Sequence, residues 1–150
     1  MALIAWLRAL LGVFGRDGLT VQDVVDAVGP VARDPGVPMP MSLRPSAPDV
    51  RSASLARYPD SGAPYLLTLE LEPSLQPCVA DLVDAFGPYR RAGSDRGMPV
   101  PLVFEPPAEA SRWTVALVAE LPAGSAPSDS ARAESVALRR DPVAARPDLR

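Results

Sequence analysis

The chain has 150 residues, enough for one domain with its own core, and 47% of them are hydrophobic. Its 15 basic residues are all arginines and stand against 18 acidic ones, for a net charge of −3 with no His. No basic stripe interleaved with aromatics is present, so nucleic-acid binding has no electrostatic footprint. Without His the commonest general base and metal ligand is missing, and the single Cys78 excludes an internal disulfide or a multi-cysteine metal site.

Nineteen prolines, well above the usual share of about 5%, enforce frequent breaks and predict short elements.

Residues 2–15, ALIAWLRALLGVFG, are apolar except for Arg8. The run is shorter than the roughly 20 residues a bilayer requires. Leu3, Leu7, Leu10 and Phe14 recur at helical spacing, and Trp6 and Leu11 widen the stripe. Three readings stay open here. The helix docks on the domain's own core, or it lies on a membrane through Leu3, Trp6, Leu7, Leu10 and Phe14, or it is an export signal of atypical form. For the last, no Lys or Arg precedes the run, and no A-x-A-like site or lipobox cysteine follows it.

The next stretch organises the chain. Residues 21–30, VQDVVDAVGP, return at residues 79–88 as VADLVDAFGP, with seven of ten positions identical. Val21, Val24, Val25 and Val28 form one helical face, as do Val79, Leu82, Val83 and Phe86. Thr20 with Asp23 predicts a capping box, whereas Cys78 in the second copy is a poorer cap. Gly29-Pro30 and Gly87-Pro88 stop the two helices.

A strand-like run follows each helix, VPMPMSLRP at residues 37–45 and MPVPLVFEP at residues 98–106. Each unit then closes on a second alternating run, YLLTLELE at residues 65–72 and WTVALVAE at residues 113–120. Pro40 and Pro101 cannot donate to a ladder, so these strands are expected to be edges or to carry their Pro on the outward, unbonded side. Residues 46–64 read as a long connection, residues 107–112 as a hairpin turn. The Pro-, Ala-, Ser- and Arg-rich residues 122–150 read as a disordered tail.

Few constellations suggest chemistry. The duplicated D-x-x-D pairs, Asp23/Asp26 and Asp81/Asp84, are too sparse in oxygen ligands for a cation and read as solvated helix faces. Glu70, Glu72, Glu105 and Glu120 supply an acid pair only if folding brings two together. Arg90, Arg91 and Arg96 form a modest basic loop without P-loop spacing. Cys78 has no nearby His to activate it and reads as a buried, unreactive thiol.

Gly18-Leu19-Thr20, Val24 and Ala27-Val28-Gly29 resemble the helix start and stop of small outer-membrane lipoproteins of the SmpA/OmlA type. Those are related in fold to tandem-repeat β-lactamase-inhibitor proteins. The resemblance implies a unit that acts by binding other proteins rather than by catalysis.

These readings predict an α+β fold: a tandem αββ repeat over residues 19–121 (units 19–73 and 77–121), with a four-stranded, mainly antiparallel sheet. Two short helices lie on one sheet face and an apolar helix precedes them at residues 1–15. The predicted function is a non-catalytic protein-binding module with no metal and no cofactor, contacting its protein partner through Arg51, Leu55, Arg57 and Tyr58 in the long connection. The alternative is a membrane-peripheral accessory protein held by the first helix. The predicted compartment is the cytoplasm, with or without membrane association.

Overall fold

The computed structural model describes residues 2–93, 95–106 and 112–142. The apolar start forms helix α1 (Ala2–Phe14), with Leu3, Leu7, Leu10 and Phe14 buried along one stripe. These four side chains are 0–2% exposed and join the same core as the sheet. The docked reading of this segment is therefore the one observed. The membrane-contact reading of Leu3, Leu7, Leu10 and Phe14 is corrected, because a stripe spent on the core has no surface left for lipid. Trp6 is half-buried against that core. Among the described residues no helix is long and apolar enough to cross a membrane.

Helix α2 (Val21–Val28) begins with the full capping box. The Asp23 amide donates to Thr20 Oγ1 at 3.1 Å, and the Thr20 amide donates to Asp23 Oδ2 at 3.0 Å. These bonds hold the Asp23 carboxyl below its ordinary range. Gly29 ends the helix at φ +150°, and a Cβ there would sit 1.7 Å from the Arg44 carbonyl oxygen. The close approach exists because Ser46 N–H donates back to Val28 O at 2.8 Å, which lays the following chain over the helix end.

Helix α3 (Val79–Phe86) receives no side-chain cap from Cys78, whose half-buried thiol instead donates to Asp81 Oδ2 at 3.1 Å. Its first amides are satisfied from elsewhere. Val79 N–H donates to Ala131 O at 2.8 Å and Ala80 N–H to Asp129 O at 3.0 Å. Unpaired amides in a helix's first turn need acceptors, and the chain supplies them from the segment after residue 121.

The strands are β1 (Val31–Arg33), β2 (Met41–Leu43), β3 (Val50–Arg57), β4 (Pro64–Leu71), β5 (Tyr89–Arg91), β6 (Val100–Phe104), β7 (Trp113–Leu121) and β8 (Ser135–Pro142). They form one antiparallel eight-stranded sheet in the order β1-β2-β3-β4-β8-β7-β6-β5. The four-stranded sheet with two helices on it is thus corrected to eight strands and three α-helices among the described residues. Each half of the chain contributes one of the two short helices and four strands rather than two.

The reasons for the missed strands differ. β1 and β5 are three-residue edges directly after the Gly-Pro stops, too short to show a period. β3 lies in the stretch read as a long connection. Its buried positions are small or few, Val50, Ala53 and Leu55, between Ser, Ala and Arg. β8 lies in the stretch read as a disordered tail, and over residues 122–142 that reading is also corrected; residues 143–150 lie outside the described residues. Val136 and Leu138 are 0% exposed, and β8 pairs with β4 on one side and β7 on the other, at the centre of the sheet. The domain accordingly extends from α1 to β8. The expected hairpin turn at residues 107–112 falls, except for Arg112, outside the described residues.

Arg140 explains why β8 carries a charge where its alternation calls for an apolar residue. Its side chain is 3% exposed. The guanidinium lies 3.6 Å over the Trp113 ring, donates from Nε to Phe14 O at 2.9 Å and also donates to Arg16 O. Carbonyls at a helix C-terminus favour a cation. Arg140 therefore ties the last turn of α1 to the central strand.

Candidate functional site

Strand alternation divides the sheet into two unlike faces. Leu67, Leu69 and Leu71 of β4, Val136 and Leu138 of β8, and Leu117, Ala119 and Leu121 of β7 are 0–2% exposed and pack with all three helices. The intervening residues face the other way, where none of α1, α2 and α3 packs. Register sets them in rows across the strands. One row runs Ser42, Ser54, Thr68, Ala137, Val118, Val103 from β2 to β6. On this face Ser135, Ala137 and Val103 are buried, Thr68, Val118, Glu70 and Glu120 are half-buried, and Ser42 and Arg90 towards the two edges are exposed.

The next row along crosses the middle of the sheet as Ser52, Glu70, Ser135, Glu120. Glu70 and Glu120 therefore flank Ser135, about 10 Å apart as two strand spacings dictate. Ser135 is only 6% exposed, and its hydroxyl makes no hydrogen bond among the described residues. Burial, then the charges of Glu70 and Glu134, push the Glu120 carboxyl above its ordinary value. Elsewhere on this face the charges pair locally, Arg90 with Glu105 at 2.9 Å and Arg139 with Asp141 at 3.1 Å. Neither Glu70 nor Glu120 forms an ion pair among the described residues, and no group of three or more ligating side chains there is placed to hold a metal ion.

No family model matches the chain, and no curated protein matches it. Among solved structures it is similar to the crystal structure of a DUF4309 family protein (YjgB) from Bacillus subtilis, with a TM-score of 0.53 and 14% identity over 83% of this chain and 80% of that one. At that identity the likeness shows the fold alone.

The residues proposed from sequence as an interaction set do not assemble. Leu55 is 0% exposed in the core and is spent on folding. Arg57 lies towards one end of β3 and pairs with Asp34 at 2.7 Å, holding that carboxyl below its ordinary range. Tyr58 stacks on Tyr65 with centroids 4.6 Å apart. Arg51 is exposed near the opposite end of the strand.

The D-x-x-D carboxylates are likewise used locally. Asp23 belongs to the cap, Asp26 accepts from Gln22 at 2.7 Å, and Asp81 accepts from Cys78. Asp81 and Asp84 line a shallow groove of about 240 Å³ with Ile4, Arg8 and Ala85, in which Arg8 donates to Ala85 O at 3.3 Å. Arg90 and Arg91 lie on edge strand β5.

Of the carboxylates singled out from sequence, folding brings Glu70 and Glu120 to one row. Glu134 and Ser135, in the stretch read as disordered, were missed. Their signal was the alternation of Ser135, Ala137 and Arg139 against Val136, Leu138 and Arg140.

Proposed function

We propose that the chain is a non-catalytic binding module that receives a protein partner on the uncovered face of its sheet. The observation that carries the reading is the sheet's asymmetry: α1, α2 and α3 pack on one face of the eight strands, and none of them packs on the other, where Ser54, Thr68 and Ala137 form a central row of small side chains. The ten-residue match between the two helices and the shared order of one helix and four strands in each half support reading the halves as one duplicated unit. That agrees with the resemblance to tandem-repeat inhibitor-type proteins, whose units bind proteins.

An acid-dependent hydrolase is the weaker reading. Glu70 and Glu120 do converge on one row, but they lie on an open face, not in a deep pocket that excludes water. The membrane-peripheral reading loses its support with the burial of the α1 stripe.

The test places a long charge on the face without touching the core. Val118→Arg and Thr68→Arg, both on the uncovered side, should abolish recovery of the partner that the unaltered chain captures from native extract. Met39→Arg, at the exposed tip between β1 and β2, should leave recovery unchanged. Equal recovery by all three variants would place the contact surface elsewhere.

A further inference from the structure

We propose that Met39 and Met98 are reversible oxidation sites, at which a peroxide converts the thioether to the sulfoxide without disturbing the fold.

Their placement supports this. Met39 is 57% exposed and Met98 56% exposed, whereas Met41 is 4% exposed. The two exposed methionines lie in the turns that join an edge strand to its neighbour, β1 to β2 and β5 to β6. The Met39 amide donates to Gly36 O and the Met98 amide to Asp95 O, each at 3.0 Å. Backbone bonds thus close both turns, and the side chains are not needed to hold them. Neither side chain joins the core cluster or packs against it. Met41 is the opposite case: it belongs to that core and pairs across the ladder with Leu55, which is 0% exposed.

The chemistry follows from access. A lone pair on the thioether sulfur attacks one peroxide oxygen, the O–O bond breaks and an S–O bond forms. The proton of the transferred oxygen passes to the leaving hydroxide, which departs as water. The sulfur is oxidised and the peroxide reduced by the same electron pair. At a buried methionine the new polar group disrupts packing. At the two turns it stays in water and no packing is lost. The sulfoxide is also open there to the reductases that reverse it, one enzyme for each epimer.

The test treats the full chain, carrying Cys78→Ser to remove the thiol, with hydrogen peroxide and follows each methionine by peptide mass mapping. Met1, outside the described residues, is scored apart. Met39 and Met98 should each gain one oxygen at least about tenfold faster than Met41, and strong urea should bring the three rates together. The chain oxidised at both turns should keep its urea midpoint. The paired epimer-specific reductases, supplied with a thiol, should then remove both oxygens.

Met41 oxidising as fast as Met39 or Met98 in native buffer would overturn the assignment. A midpoint lowered by oxidation in the parent chain but not in Met39→Leu/Met98→Leu would show that the turns do not tolerate the sulfoxide. Oxygen that the reductases leave in place on the folded chain would overturn the reversibility.

Discussion

Leu138→Ala measures how far the sheet depends on its central strand. Leu138 is 0% exposed and faces Leu67 on β4 and Leu117 on β7, both also 0% exposed. The substitution removes three carbon groups, each worth about 0.8 kcal/mol of transfer, or about 2.4 kcal/mol in all. The site cannot collapse to fill the space, because backbone ladders fix β8 on both sides. A cavity term therefore adds to the transfer term, and the total should be about 4 kcal/mol, within the range of about 2.7–5.0 found for buried leucines. A domain of this size has about 5–15 kcal/mol of stability, so the variant should remain folded and measurable. Urea melts followed by the fluorescence of Trp6 and Trp113 should show the lower midpoint at an unchanged slope. Arg139→Ala on the exposed side of the same strand loses only a surface ion pair and should cost less than about 1 kcal/mol. Truncation after Leu121 removes β8 together with the acceptors of the first α3 amides, and should abolish cooperative unfolding. A Leu138→Ala cost below about 1 kcal/mol, or a truncated chain that melts like the full one, would refute the placement of β8 at the centre.

The other predictions use the same melts unless stated. Gly29→Ala should destabilise more than Gly87→Ala. Both glycines have positive φ, worth about 1–3 kcal/mol to a side chain, but only at Gly29 does the new Cβ also meet a backbone oxygen, at 1.7 Å; equal costs would show that the contact relaxes freely. Phe86→Ala should cost about 3 kcal/mol and the exposed Asp84→Ala less than about 0.5 kcal/mol, and the reverse order would mean that the face of α3 is misassigned. Because Glu120 is raised in the folded state, its contribution to stability is greatest below its ordinary value of 4.5 and is lost as pH rises through the raised one. Glu120→Gln should remove that part of the pH dependence and be the more stable chain above the window, whereas superimposable pH profiles would refute the shift.

Much of the helix-side architecture was legible because it rests on local rules. The caps, the Gly-Pro stops and the 3–4 residue spacing of Val24, Val28, Leu82 and Phe86 are properties of neighbours in sequence. β4 and β7 were legible for the same reason, since their alternation runs unbroken over eight residues or more. β3 and β8 were not, and composition misled there. Ala53 fills an inward position with little apolar area, and Arg140 fills another with a charge whose partners, Phe14 O and Trp113, come from elsewhere in the chain. The carboxylate row was legible only as separate glutamates. Its assembly depends on the register of β8 between β4 and β7, and neither composition nor period encodes a register between strands so far apart in sequence.

The same strand therefore governs both faces. Val136 and Leu138 turn inward and close the core between the two halves, while Ser135 and Ala137 turn outward into the rows of the uncovered face. β4 and β7 meet only through β8, so the inner core and the rows of the uncovered face exist together, and only when the sheet is complete. A partner held on that face would bind the folded state alone, and such binding would stabilise the fold by mass action.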